Sequence, residues 1–455
     1  MTLDQEFVIV SHGMLGYGFP KASLDEAVAR GAQLIAVDAG STDMGPYYLG
    51  SGRPFVSRSM VARDLDLIID AQDRTGAKIV IGSAGGAGTD VQVDFLLDTL
   101  TSVLKAKGLR KKVAVIRTEL DKATLHGALT NKRIHVFETE RDLTPQDIDA
   151  STHVVAQIGL EPIMAALDDN PDIVVSGRAW DVSNVAALPV KAGFPRGLAL
   201  HLGKILECGG QAALPVEGSD LLMGRLYPDR FIVESPHPNK ACTTESIAAH
   251  TLYEKTNPVL LPGPGGTVDL RAARFTQIDD TRVEVRDSAY TPASQYTVKL
   301  EGARLAGYRH FFIGGIRDPR MIEQIDAIEP AILDRLKSHL GADIAPEQFR
   351  VSFRRYGRDG VMGPLEPVKD PPHEIGMLVD IVGETPEIAE TVCAMARALL
   401  LHWGYQGRKA TAGNLAFPFS PADMAGGEVY EFNVYHLMDV DDPVALFPHH
   451  MTELG

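Results

Sequence analysis

The feature that most constrains this chain is an alternation that repeats through its first half. Short apolar, β-rich runs appear at "EFVIVSHG", "QLIAVDAG", "AKIVIGSAGG", "KKVAVIRTE", "THVVAQIG" and "DIVVSGRAWD". Each breaks into glycine, serine or acidic residues. Helical patterns lie between them. "SLDEAVARG" opens on an N-capping serine and stops at Gly31, and two longer amphipathic stretches stop at Gly76 and Gly108. Apolar strands with helices between them predict an α/β domain, its parallel sheet flanked by helices and buried on both faces. An open doubly wound sheet and a closed barrel share this pattern; the expectation here is the open or irregular sheet.

After about Asn257 the pattern changes. "TRVEVRDSAY", "SQYTVKLEGARLAGYRHFFIGGI" and "QFRVSFRRYG" read as strands, interleaved with the helical "DPRMIEQIDAIEPAILDRLKSHLG" and "TPEIAETVCAMARALLLHW". This predicts a smaller C-terminal α+β domain, with domains at 1–256 and 257–455.

A net charge of −16 argues against nucleic acid or an anionic membrane as the main partner, because both need a basic surface. The three cysteines, Cys208, Cys242 and Cys393, are far apart, so neither a thiolate zinc site nor a disulfide framework is expected. No signal-peptide pattern opens the chain and no run is long and apolar enough for a membrane span, which fits a cytoplasmic protein.

In parallel α/β architectures function collects in the loops beyond the carboxyl ends of the strands. The loop "VDAGSTD" places Asp38 and Asp43 there, around Ser41. A carboxylate pair suits acid–base work or a divalent ion such as Mg²⁺; an Asx-turn with a helix cap is the structural alternative. "GSAGGAGTD" supplies Ser83, Gly85, Gly86 and Asp90, either a nest of amides for an anion or a tight turn between sheet and helix. It lacks the lysine of a phosphate-binding loop. "RTELDKATL" offers Glu119 and Lys122 as proton-transfer groups, or a solvated helix start. In "SGRAWD", Arg178 could grip a carboxylate with Asp181 orienting it, or the two could form an internal ion pair. "LALHLGKILECGG" sets His201, Lys204 and Cys208 on one helical face, with Cys208 a candidate nucleophile or a buried filler.

The blocks "SHGMLGYGFP", "VDAGSTDMGPYYLGSG", "IGSAGGAGTD", "GLEPIMAALDDNPDIVVSGRAWD", "LHLGKILECGG", "AAHTLYE" and "ATAGNLAFPFSPAD" together resemble the acyclic terpene utilisation AtuA family, across nearly the whole chain. The resemblance implies a catabolic, cytoplasmic role in the breakdown of branched, unsaturated acids through CoA thioesters. It also implies a small ferredoxin-fold partner protein, and carries no catalytic residues over. The expectation is therefore an enzyme, a hydratase, dehydratase or isomerase, acting on a small carboxylic acid or its acyl-CoA by general acid–base catalysis. Asp38, Asp43, Glu119 and Lys122 are the proton-transfer candidates. Ser41, Ser83, Gly85, Gly86, Asp90, Arg178 and Asp181 are the substrate-binding candidates. The alternatives are an acyl or CoA transferase using Cys208 and a non-catalytic subunit of a catabolic complex; a homo-oligomer is expected in each case.

Overall fold

The computed structural model describes residues 5–138, 141–253, 256–341, 343–409 and 412–455. Parts of the blocks "AAHTLYE" and "ATAGNLAFPFSPAD" therefore lie outside the described residues, at Glu254, Ala410 and Thr411. By its internal contacts the chain forms two units. One comprises Met1–Arg304 with Phe432–Gly455, and the other Leu305–Glu431.

The first unit is built on an open ten-stranded sheet. Its chain order begins β1 (Phe7–His12), α1 (Lys21–Ala29), β2 (Leu34–Asp38), α2 (Pro46–Ser51), α3 (Arg58–Thr75), β3 (Lys78–Gly82), α4 (Asp90–Lys107) and β4 (Lys111–Ile116). It continues through α5 (Lys122–Thr130), β5 (Ile134–Val136), α6 (Pro145–Ala150), β6 (Ser151–Gln157), α7 (Leu160–Ala166), β7 (Ile173–Ser176), α8 (Asp181–Lys191) and α9 (Arg196–Leu206). Strands β1, β2, β3, β7 and β4 are neighbours in that order and all parallel. Residues alternate between the two faces as a pleat requires. Val8, Val10, Ile35, Val37, Ile79 and Ile81 pack with α1, α3 and α4. Phe7, Ile9, Leu34, Ala36 and Val80 pack with α7, α8 and α9 on the other side. That two-sided burial is why the strands carry almost no polar residue before their carboxyl ends.

Antiparallel strands extend both edges. Beside β1 lie β8 (Leu221–Leu226) and β9 (Arg230–Glu234). The segment from α10 (Thr244–Leu252) through β10 (Leu260–Gly263), β11 (Gly266–Asp269), β12 (Arg274–Gln277), β13 (Arg282–Arg286) and β14 (Ala289–Pro292) stays with this unit. Of these, β13 and β12 lengthen the large sheet, while β10, β11 and β14 form a small sheet of their own. Strand β15 (Tyr296–Ile316) then pairs its first residues with β6, setting Lys299 opposite Gln157 and Glu301 opposite Val155.

The chain enters the second unit within β15. That unit pairs the rest of β15 with β17 (Ile375–Gly383), and β17 with β16 (Phe349–Tyr356). Helices α11 (Pro319–Leu340) and α12 (Pro386–His402) bury Ile325, Ile332, Val392 and Ala396 against Phe312, Met377 and Val379 of this sheet. The chain returns to the first unit within β18 (Met424–Val440) and, after α13 (Pro443–Leu446), ends in β19 (His449–Leu454), which covers the β4 edge. Among the described residues no helix is long and apolar enough to cross a membrane.

Candidate functional site

The parallel strands deliver their last residues to one end of the sheet, where the loops lock onto one another. Leu15 N–H donates to Asp38 O, Ala39 N–H to Gly82 O, and Ser83 N–H to Gly177 O. Glycine permits this proximity. A Cβ on Gly40 would lie 2.4 Å from the Gly86 backbone, and one on Gly88 would lie 2.2 Å from Arg178 N. Gly86 and Gly88 of "GSAGGAGTD" therefore sit where backbones cross. Gly85 lies against Gln92, its O accepts from Phe55 N–H, and Gly86 is buried. Thr89 closes the loop with a capping box on α4.

At this end a network of charged side chains forms around Glu301. Glu301 is 1% exposed and reaches in from β15. Its Oε2 accepts from Arg178 Nε at 2.7 Å, and its Oε1 accepts from Thr42 Oγ1 at 2.8 Å and pairs with Lys299 Nζ at 2.8 Å. Arg178 Nη1 donates to Ser83 Oγ, Ala179 O and Asp181 Oδ1, each at 3.1 Å. Arg178 and Asp181 thus form the internal ion pair, with Glu301 as a second anion. Against the cost of burial, Arg178 and Lys299 hold the Glu301 carboxyl down to about 2. Burial opposes the Arg178 charge, yet Glu301 and Asp181 hold its guanidinium protonated well beyond the ordinary range.

Asp38 and Asp181 behave differently. Asp38 ends β2 and accepts from Gly40 N–H at 3.2 Å. Burial pushes its carboxyl well above the ordinary range, and the nearby Asp181 pushes further. Asp181 opens α8; burial raises it too, with Asp43 and Glu301 adding to the shift and Arg178 opposing it. The charge of Asp181 thus disfavours ionisation of Asp38. Asp43 is exposed on the same loop, its N–H donating to Ser41 Oγ at 3.1 Å.

A cleft of about 550 Å³ opens beside this network. Thr42, Asp43, Lys299 and Glu301 line it together with Phe432, Val434 and Tyr435 of β18, the strand beside β15. Lys299 Nζ stands 5.2 Å over the Tyr435 ring. The volume lies in the usual range of small-molecule sites, roughly 300–1,000 Å³.

The family model of the acyclic terpene utilisation family protein AtuA matches residues 58–215 and 229–420. The chain belongs to the AtuA family. No curated protein and no solved structure matches it. Arg178, Asp181, Lys299 and Glu301 of this AtuA-family chain lie within the matched segments, whereas Asp38 and Asp43 precede them and Tyr435 follows.

The other candidates fall elsewhere on the AtuA-family unit. Glu119 accepts from Asp90 N–H at 2.8 Å and holds His153 Nδ1 at 2.6 Å, making a separate cluster at the end of β4. Burial raises the Asp90 carboxyl and the Glu119 charge adds to it, against Arg117. Lys122 is exposed and donates to Asp149 O at 2.6 Å. Cys208 touches Tyr253 Oη at 2.7 Å, while His201 bonds Ser288 and Thr251 instead. Burial, then Glu207, pushes the Cys208 thiol up to about 12, so it stays protonated and a poor nucleophile. Among the described residues no three histidine, cysteine or acidic side chains are grouped to hold a metal ion.

Sequence reasoning missed Thr42, Lys299, Glu301 and Tyr435. Their only sequence signal is local. Lys299 and Glu301 stand two apart in an apolar strand, and so share one face of it.

Proposed function

We propose that this AtuA-family chain is an enzyme of acyclic terpene catabolism that moves protons on a small unsaturated or hydroxylated carboxylic acid, or its CoA thioester. Hydration, dehydration and isomerisation of a double bond all need one group that gives a proton and one that takes it. The observation that carries the reading is the Asp38–Asp181 pair. Both carboxyls are raised by burial, and the charge of Asp181 raises Asp38 further. Such a pair keeps a proton at pH values where an ordinary aspartate has lost it, so one member is the acid while its partner is the base. Arg178, held by Glu301, fixes Asp181 in place, which makes it a positioning residue. The high thiol pKa of Cys208 gives no support to a thioester-transfer route through that residue.

The test is turnover of the purified chain on 2-alkenoyl and 3-hydroxyacyl thioesters in D₂O, followed by mass spectrometry. Addition of water shows as a mass gain of one D₂O, and isomerisation as deuterium exchange without net gain. Asp38→Asn and Asp181→Asn should each lower kcat by about 10²–10⁴-fold, the usual contribution of a positioned acid or base. Wild-type rates in both variants would refute the assignment.

A further inference from the structure

The hairpin of β16 and β17 in the second unit carries two features that the cleft does not involve. The first is the connection between its strands, residues 357–374. Its stem is pinned. Arg355 of β16 pairs with Asp359 Oδ2 at 3.0 Å and with Asp326 of α11, and Arg358 Nη2 donates to Asp326 Oδ2 at 2.6 Å. Gly360 N–H donates to Arg355 O, Gly363 N–H to Asp359 O and Glu366 N–H to Gly363 O, so the connection folds on itself. Yet its apolar side chains point into solvent: Val361 is 85% exposed, Leu365 79%, Val368 62% and Met362 50%. Apolar surface that a hydrogen-bonded segment keeps outside marks an interaction site.

The second feature is the sheet face turned away from α11 and α12. Those helices pack on Phe312, Met377 and Val379. By alternation the opposite face carries Phe311 and Ile313 of β15, Leu378 and Asp380 of β17, and Arg350 and Arg354 of β16. The register sets Ile313, Leu378 and Arg354 in one row, and Arg309, Val382 and Arg350 in another. Phe311, Ile313 and Leu378 are half-buried, while Arg350 and Arg354 are exposed on β16, the edge strand of its sheet. Arg309 pairs with Asp380 at 2.7 Å and Arg350 lies 3.7 Å from Glu431, whereas Arg354 has no ion-pair partner among the described residues. Three arginines against two acids leave this face positive. Residues 361–374 are the reverse, with Glu366, Asp370 and Glu374 against Lys369. An apolar, acidic projection and an apolar, basic face on one hairpin match a second copy of the same chain, in a twofold arrangement that makes each contact twice. At a net charge of −16 two copies repel one another, so a contact between them needs such a local match. We propose that the β16–β17 hairpin is a homodimer contact, in which Val361, Met362, Leu365 and Val368 of one copy pack on the Phe311, Ile313 and Leu378 face of the other, and Arg354 meets the acids of the projection. The proposal is independent of the chemistry assigned to the cleft.

The test is sedimentation velocity of the full wild-type chain, which should show a dimer at micromolar concentration. Leu365→Asp and Arg354→Glu should each raise the dimer dissociation constant at least about 30-fold, the loss expected of an interface anchor. Both side chains are exposed, so far-UV circular dichroism should stay as in wild type. A second measurement places the contact. Chains carrying Val361→Cys are mixed with chains carrying Ser352→Cys, whose position lies on the same face as Arg354, and treated with a short bismaleimide. Covalent dimers should form chiefly between the two variants. A monomeric wild type, a dimer that neither Leu365→Asp nor Arg354→Glu weakens, or cross-linking confined to like variants, would overturn the proposal.

Discussion

Replacing Glu301 by glutamine keeps the side-chain shape and removes the charge that holds Arg178 and Lys299. The carboxyl of Glu301 is lowered from 4.5 to about 2, so its ionisation contributes about 3 kcal/mol to stability at neutral pH, at roughly 1.36 kcal/mol per pH unit. Breaking a buried ion pair from one side costs a similar amount, about 3–5 kcal/mol, because the remaining charge is left buried. The sign follows from the direction of the shift. A depressed carboxyl stabilises above its unfolded value near 4.5, and that stability is lost as pH falls through about 2. The difference between wild type and Glu301→Gln should therefore be about 3 kcal/mol at pH 7, and should shrink by about 1 kcal/mol at pH 3.5. The chain has two tryptophans, and one of them, the buried Trp180, lies in the same unit as Glu301. Urea unfolding followed by fluorescence in a Trp403→Phe background reads that unit alone. A gap below about 1 kcal/mol at pH 7, no more than an exposed ion pair contributes, would refute the network as an energetic centre. A gap that widened on acidification would refute the sign.

The Asp38 carboxyl is raised, so its contribution is present at low pH and lost as pH climbs above its unfolded value near 3.8. Asp38→Asn should therefore unfold at the same or higher urea concentration than wild type at pH 8 while losing activity; a clear loss of stability there would contradict the raised value. Gly88→Ala should destabilise the first unit by at least about 1–3 kcal/mol in urea titrations, since its Cβ would meet Arg178 N at 2.2 Å, and near-wild-type stability would refute the close crossing. Thr89→Ala removes a capping box and should cost about 1 kcal/mol by the same measurement. With its thiol at about 12, Cys208 in the folded chain should resist iodoacetamide at pH 7.5, and mass spectrometry showing rapid alkylation would overturn its protonated state.

The layout of the parallel sheet was legible because its signals are local. The runs ending at His12, Asp38, Gly82, Ile116 and Ser176 are the five parallel strands, and Gly76 and Gly108 cap α3 and α4 in the left-handed conformation. The apolar content of those runs on both faces also excluded a half-solvated sheet. The edge strands β8 and β9 were not read, since "LLMGRL" and "RFIVE" are short and the pairing of β8 with β1, which brings both to the sheet, joins residues over 200 positions apart. The candidate site was half legible for the same reason. Asp38, Asp43, Ser83, Arg178 and Asp181 stand at strand ends, where the architecture itself points. Glu301 does not, and without it Asp181 is the one anion the sequence sets beside Arg178. Likewise Glu119 reads as a proton-transfer group or part of a solvated helix start until β6 brings His153 to it. Long-range register, not residue chemistry, was the missing information.

The first unit is assembled from two stretches of chain with the second unit inserted between them. On the ribosome this imposes a timetable. Domains fold as they emerge, N-terminal parts first. Lys299 and Glu301 emerge with the early part, but Phe432, Val434 and Tyr435, which wall the cleft, come only after the whole Leu305–Glu431 insert has been made. The β4 edge also stays open until β19, which follows the insert, arrives. A nascent chain thus carries its buried charges before it can close the cleft beside them, and an unpaired parallel edge that invites wrong pairing. The length of the insert, none of whose described residues lines the cleft, therefore sets how long the nascent chain stays in that state.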